Sequence, residues 1–221
     1  GVVVMDSDGE DRVEDIFNLI STETSEIVVA KRSTRSEGIE FIAFYKIYKF
    51  IFKMLSGKVI DFGNFCYIPW DKLKTLMYSP NTWNHLAASI IKSNNPIKKI
   101  ATPRGKRFFG KSKMNFTDLV LHGLGAMSVF IDFIFTRILF FLLSFISILL
   151  FIALIVLILK FATTLSIPGW TTTVIGIVLL AILQAIVIIF VSAFIVLNNR
   201  SSKLFIPAID APYFILDRFN I

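Results

Sequence analysis

Two stretches of this chain carry no charge over lengths that few soluble folds could bury. Ile138 to Leu159 and Thr171 to Leu197 run uncharged for roughly 22 and 27 positions. About 20 apolar residues in a helix cross the roughly 30 Å of hydrocarbon in a bilayer. Lipid offers the backbone no hydrogen-bond partner, so each stretch is expected to be a spanning helix. The connection FATTLSIPGW, residues 161 to 170, is short and broken by Pro168 and Gly169, which makes the pair a hairpin. Trp170 suits the headgroup level. Composition agrees, since 55% hydrophobic residues and a mean hydropathy of +0.70 exceed what an ordinary soluble domain carries.

Basic residues orient the hairpin. Arg104, Lys106, Arg107, Lys111, Lys113 and Arg137 precede the first span and Arg200 and Lys203 follow the second, against Lys160 at the turn. An integral membrane protein with both ends in the cytoplasm is expected. Apart from Gln184 and scattered Ser and Thr, the spans hold no polar group, and transport paths need ionisable residues or broken helices. The helices therefore read as an anchor. Ala181 and Ala185 form one small-xxx-small pair, a possible homo-oligomer contact.

The remaining chain divides around this anchor. Residues 115–136 mix apolar residues with Asp118, His122 and Asp132, which fits an amphipathic helix lying in the interface; His122 reads as a polar-face residue. Residues 137–198 form the hairpin, with spans at 138–159 and 171–197. Residues 199–221 form an irregular cytoplasmic tail with Pro207 and Pro212. Residues 1–114 are the soluble part, an α/β domain. Within it, EIVVAKRSTR contains a short strand, and FIAFYKIYKFIFKMLSG is a helix burying Phe41, Phe44, Tyr48, Phe52 and Leu55. KVIDFGNFCYIPWDKL reads as strand, turn at Gly63 and Asn64, strand, then a helix starting near Trp70. A helix around Trp83 to Ser93 leads through the linker NNPIKKI to the cation-dense loop ATPRGKRFFGKSKM. The single cysteine, Cys66, excludes an internal disulfide and reads as a small core residue.

The first residues raise the functional question. VVVMDSDGED reads as a buried parallel strand that delivers Asp6 and Asp8 at its C-terminal end, where open α/β sheets place ligands. Such a strand normally sits inside a sheet. The chain is therefore expected to be a fragment, or half of a site completed elsewhere. The acid cluster is not an EF-hand, because Asp11 stands where the loop glycine belongs and Phe17 where the bidentate Glu belongs.

The ordered set resembles the membrane-anchored family 2 glycosyltransferases of the GT-A fold. Its members are the D-S-D loop, A-K-R at Ala30 to Arg32, V-I-D-F at Val59 to Phe62, R-G-K-R-F-F-G-K-S-K at Arg104 to Lys113, an amphipathic helix and two spans. Closest in plan are the polyprenyl-phosphate hexose synthases of the dolichol-phosphate mannose synthase type. The resemblance begins at the family's D-x-D motif, so residues 1–114 correspond to the C-terminal part of the catalytic domain, without most of the nucleotide site. It implies an inverting transfer of a hexose from a nucleotide-sugar donor to a membrane lipid or lipid-linked acceptor, in the inner or plasma membrane of a bacterium. It further implies that Asp6, Asp8 and Glu10 hold Mg2+ or Mn2+, the hard cations that oxygen ligands favour.

By the same resemblance Asp61 is the catalytic carboxylate near the acceptor. Arg107, Ser112 and Lys113 contact a donor or acceptor phosphate, and Arg32 and Arg35 help grip the donor. Arg104, Lys106 and Lys111 would form a basic cluster on anionic lipid. The lipid-phosphate enzymes often follow the matching aspartate with arginine, whereas this chain has Phe62, Gly63, Asn64 and Phe65. Nucleic acid is not an expected partner, since Phe108 and Phe109 make a poor stacking platform. A processive synthase would carry a Q-x-x-R-W element, which does not occur. The remaining alternative is a noncatalytic membrane adaptor retaining a GT-A remnant.

Overall fold

The computed structural model describes residues 1–21, 25–32, 39–108, 115–163, 168–202 and 204–215. Two compact units emerge: Gly1–Phe130 with Lys203–Ile221, and Ile131–Ser202.

The first unit is built on a four-stranded mixed sheet. Its strands are β1 (Val2–Val4), β2 (Ile27–Arg32), β3 (Cys66–Ile68) and β4 (Ile97–Thr102), in the order β1-β3-β2-β4. β3 runs antiparallel to both β1 and β2, and β2 runs parallel to β4 from Ile27↔Ile97 to Arg32↔Thr102. It follows that β1, β2 and β4 point the same way. Their C-terminal ends share one sheet edge with the N-terminal end of β3.

The pleat sends alternate residues into two cores. On one face Val4, Ile27, Val29, Cys66, Ile68 and Ile97 meet Leu73 and Leu76 of α3 (Trp70–Met77) and Leu86, Ala87 and Ile90 of α5 (Leu86–Lys92). On the other, Val3, Met5, Val28, Ala30, Tyr67 and Ile100 meet Phe65 and Ile16 and Leu19 of α1 (Asp15–Ile20). Coverage of both faces explains why Ile27 to Ala30 is uninterruptedly apolar and buried. Cys66 is fully buried, a small core residue as its isolation suggested, and burial, with the charge of Asp11, pushes its thiol up to about 12.

Several boundaries differ from the expectations. β1 is an edge strand with an antiparallel neighbour and a half-exposed face, because the antiparallel β3, not a parallel strand, lies beside it. No strand forms at Lys58 to Asp61; the chain there runs irregularly into β3. The expected linker IKKI is β4, with both lysines exposed. The helix foreseen at Trp83 to Ser93 is two helices, α4 (Asn81–Asn84) and α5, interrupted at His85. His85 leaves helical geometry at φ −156°, ψ 103°, and its Nδ1 accepts from Ala88 N at 3.2 Å, capping α5.

The predicted long helix is α2 (Ile39–Ser56), closed by Gly57 in the left-handed region at φ +73°. Phe52 is buried, and Tyr48 and Leu55 are half-buried; the side chains of Phe41 and Phe44 lie outside the described set. The expected interfacial helix is α6 (Phe116–Ser128), shorter than 115–136 because the chain turns at Val129 and Phe130. A reciprocal capping box opens it: Asp118 N donates to Asn115 Oδ1 at 2.8 Å, and Asn115 N to Asp118 Oδ2 at 3.2 Å. Tyr48 donates to the Gly123 carbonyl at 3.1 Å, so α6 docks on α2 where the absent Cβ leaves room. Phe130 then meets Phe52 edge-on at 5.7 Å.

The second unit is the helix pair α7 (Ile131–Ala162) and α8 (Trp170–Ser201). α7 begins before the expected span and takes in Asp132, assigned to the interfacial segment, and Arg137, expected just before the span. Both are long and apolar enough to cross a membrane, and in each the most apolar window is only 11% buried. A helix in a soluble core would be mostly covered, so this exposed surface indicates membrane association. Ala185 is buried within the chain. Gly169, at φ +87°, starts α8.

Candidate functional site

The sheet edge shared by the ends of β1, β2 and β4 gathers the acidic and basic motifs. After β1, the loop Asp6 to Asp11 folds on itself: Asp6 N donates to Asp11 Oδ2 at 3.0 Å and Glu10 N to Asp8 Oδ1 at 3.0 Å. After β4 comes the cationic loop from Arg104. Arg104 Nη2 donates to both oxygens of Glu10 at 2.9 Å. Arg107 Nη2 bridges Asp8 Oδ2 at 2.9 Å and Glu10 Oε1 at 3.2 Å. Charge-assisted bonds of this kind are stronger than neutral ones, and the Glu10 side chain is only 13% exposed.

Backbone holds the two loops together as firmly as charge. Gly105 N donates to Glu10 O and Phe108 N to Asp8 O, both at 2.9 Å. A Cβ on Gly105 would collide with the carbonyl oxygen of Gly9. Gly9 itself sits at φ +90°, where a side chain would also meet the Phe108 ring at 2.8 Å. Glycine is thus required on both sides of the contact. Neither residue was among the sequence candidates, although the R-G-K-R motif contains one of them.

Asp61 approaches the sheet from the segment before β3. Lys99 Nζ lies 2.7 Å from its Oδ1 and Lys31 Nζ 3.2 Å from its Oδ2. Burial alone would raise this carboxyl, but hydrogen bonds from Lys99 and Lys31 and their charges outweigh it and hold the group below its ordinary 3.8. The lysines are neighbours on the sheet, since Lys99 pairs with Val29, two residues before Lys31 on the same face. Sequence reading missed both as site residues.

Of the other candidates, Arg32 ends β2 at this edge and Lys106 stands in the cationic loop between Arg104 and Arg107. Arg35, Lys111, Ser112 and Lys113 lie outside the described residues. Among the described residues, no group of three or more His, Cys, Asp or Glu converges as a metal site. His122, read as a polar-face residue, is exposed on α6 and stacks on His85 at 4.4 Å between ring centroids. Burial, and then the charge of His122, hold His85 down at about 4.

No protein-family model matches the chain, and no curated protein and no solved structure matches it.

Proposed function

We propose that this chain carries elements of a GT-A-type catalytic domain together with a membrane anchor. It would belong to an inverting, metal-dependent glycosyltransferase that moves a hexose from a nucleotide sugar to a membrane-associated acceptor at the cytoplasmic face. The observation that carries this reading is the pairing of the D-x-D loop with the arginines of the R-G-K-R loop, two elements more than ninety residues apart in sequence. Carboxyl ends of strands are where α/β sheets bind ligands.

Asp6 and Asp8 suit Mg2+ or Mn2+, because magnesium is commonly held by one or two carboxylates together with substrate phosphates and needs no all-protein cage. The metal would supply neutralisation of charge on the departing diphosphate. Glu10, engaged by both arginines, positions the cationic loop in this reading. Arg107 lies against Asp8, so its guanidinium stands where a diphosphate held by that loop would sit. Lys113 and Ser112 would extend the phosphate contacts.

The surroundings of Asp61 favour one acceptor. A carboxylate held between two lysines is a weak proton acceptor, and a neutral hydroxyl would need a stronger one. A lipid phosphate is already ionised and needs none. Lys31 and Lys99 supply, from neighbouring strands, the positive charge that the residues after Asp61 lack. Asp61 then orients the lysines and the attacking phosphate oxygen.

A noncatalytic adaptor is the second reading, favoured by one observation: Asp8 and Glu10 are already neutralised internally by Arg104 and Arg107. Radiolabelled nucleotide sugars offered to membranes carrying the full-length protein separate the two. Transfer that needs Mg2+ or Mn2+, and a product that enters organic solvent and is labile to mild acid, are expected of the transferase. No transfer with any nucleotide sugar would leave the adaptor.

A further inference from the structure

Trp83, on α4, packs on a segment that follows the apolar helices in the chain, and its neighbour Asn84 bonds to one that precedes them. Its ring packs on Phe205 at 4.8 Å between centroids, and Phe205 packs on Phe214 at 5.9 Å. The next residue, Asn84, donates to Ser128 Oγ at the end of α6, at 2.6 Å. Phe205 comes four residues after Ser201, where α8 ends, and Ser128 three residues before Ile131, where α7 begins.

These contacts leave an aromatic surface open. Trp83 is 73% exposed, Tyr213 82% and Phe214 76%, and Leu204, Ile209 and Ile215 are about half exposed. Water disfavours a cluster of this kind, whereas the headgroup layer accepts rings with an apolar body and a polar tip. Beyond Leu197, its last apolar residue, α8 continues as Asn198 to Ser201. That is about 6 Å of helix, close to the depth of one headgroup layer. Arg200 and Lys203 flank the segment with charge suited to anionic lipid.

We infer that Trp83 and residues 204–215 form an aromatic platform of the first unit that seats in a lipid headgroup layer. The occupant of this surface is lipid: its two tethers leave directly from the apolar helices, and its rings are those of a membrane interface. The inference rests on α7 and α8 as spans and holds whether or not the sheet edge transfers sugar.

The 221 residues hold three tryptophans, so W70F with W170F leaves Trp83 as the sole reporter when this 221-residue chain is reconstituted in phosphatidylcholine–phosphatidylglycerol vesicles. A nitroxide on the lipid headgroup should quench Trp83 about twofold, and more than a nitroxide deep in the acyl chain, while aqueous iodide quenches it little. Quenching by iodide as for a free indole would overturn the proposal. So would shielding from both lipid and iodide, which would mean a protein occupant such as a second copy. A spin label on Tyr213→Cys gives a second reading, because Cys66 is fully buried and leaves the new thiol as the reactive one. Greater collision with oxygen than with a water-soluble nickel chelate is expected, and the reverse order would count against the platform.

Discussion

At the scale of single residues, the account depends on two glycines and on side chains that sequence reading identified by type but not by partner. Gly105→Ala should destabilise the first unit by about 2 kcal/mol or more, since the new methyl meets backbone and not a movable side chain. Gly63→Ala, with open space around its Cβ, should change stability by less than about 0.5 kcal/mol. Denaturant midpoints of the two variants in detergent check the contrast. Asp8, Glu10, Arg104 and Arg107 were legible as charged motifs, because acids after a strand and clustered arginines are unusual compositions. That they would pair was not legible. The partners stand more than ninety residues apart, and such pairing leaves no local periodicity. Lys99 was hidden differently: Ile-Lys-Lys-Ile breaks the period of two, because Lys99 shares a face with Val29 at the sheet edge yet reaches Asp61 instead of the core. Native protein should also resist alkylation at Cys66 at pH 8 and react only on unfolding, as burial and its raised thiol require.

At the scale of elements, the long apolar helices and α2 were legible because sustained hydrophobicity or a period near 3.6 survives any tertiary context. Short elements were not. β3 has only three residues, and the break between α4 and α5 depends on one histidine capping a helix, a role rarely assigned to that residue. His85 makes the break titratable. Its folded value of about 4 lies below the ordinary 6.5, so the unfolded chain binds the extra proton between these values. The stability it contributes is complete above about pH 6.5 and is lost as pH falls toward 4, at most about 3 kcal/mol. His85→Asn keeps a capping oxygen and removes the titration. Thermal melts of this variant should be flatter than those of the natural chain between pH 4 and 6.5; equal slopes would remove His85 from the account. Asn115→Ala should cost α6 about 1 kcal/mol through loss of its capping box.

At the scale of the whole molecule, charge and hydropathy set the two apolar stretches apart, while the structure draws its division at Ile131 and after Ser202. The tail, expected to be irregular, instead forms a short helix at Pro207–Asp210 and a 3-10 turn at Ala211–Phe214, and its contact with Trp83 needed the fold. The exposed apolar surface of α7 and α8 predicts that alkaline carbonate leaves the protein in the membrane pellet and that detergent releases it. Sheet topology ties the molecule to its proposed chemistry, since β1 and β4 point the same way and bring the acidic and the cationic loop to the same end of the sheet. The central claim is that this edge holds a divalent metal with a nucleoside diphosphate through Asp8. Electron paramagnetic resonance of Mn2+ tests it most directly, on the full-length protein in detergent with a nucleoside diphosphate. Loss of the free-manganese signal with the natural chain, and its return by about tenfold weaker binding or more in Asp8→Asn, is the predicted result. Manganese bound equally by both proteins, or by neither, would contradict it.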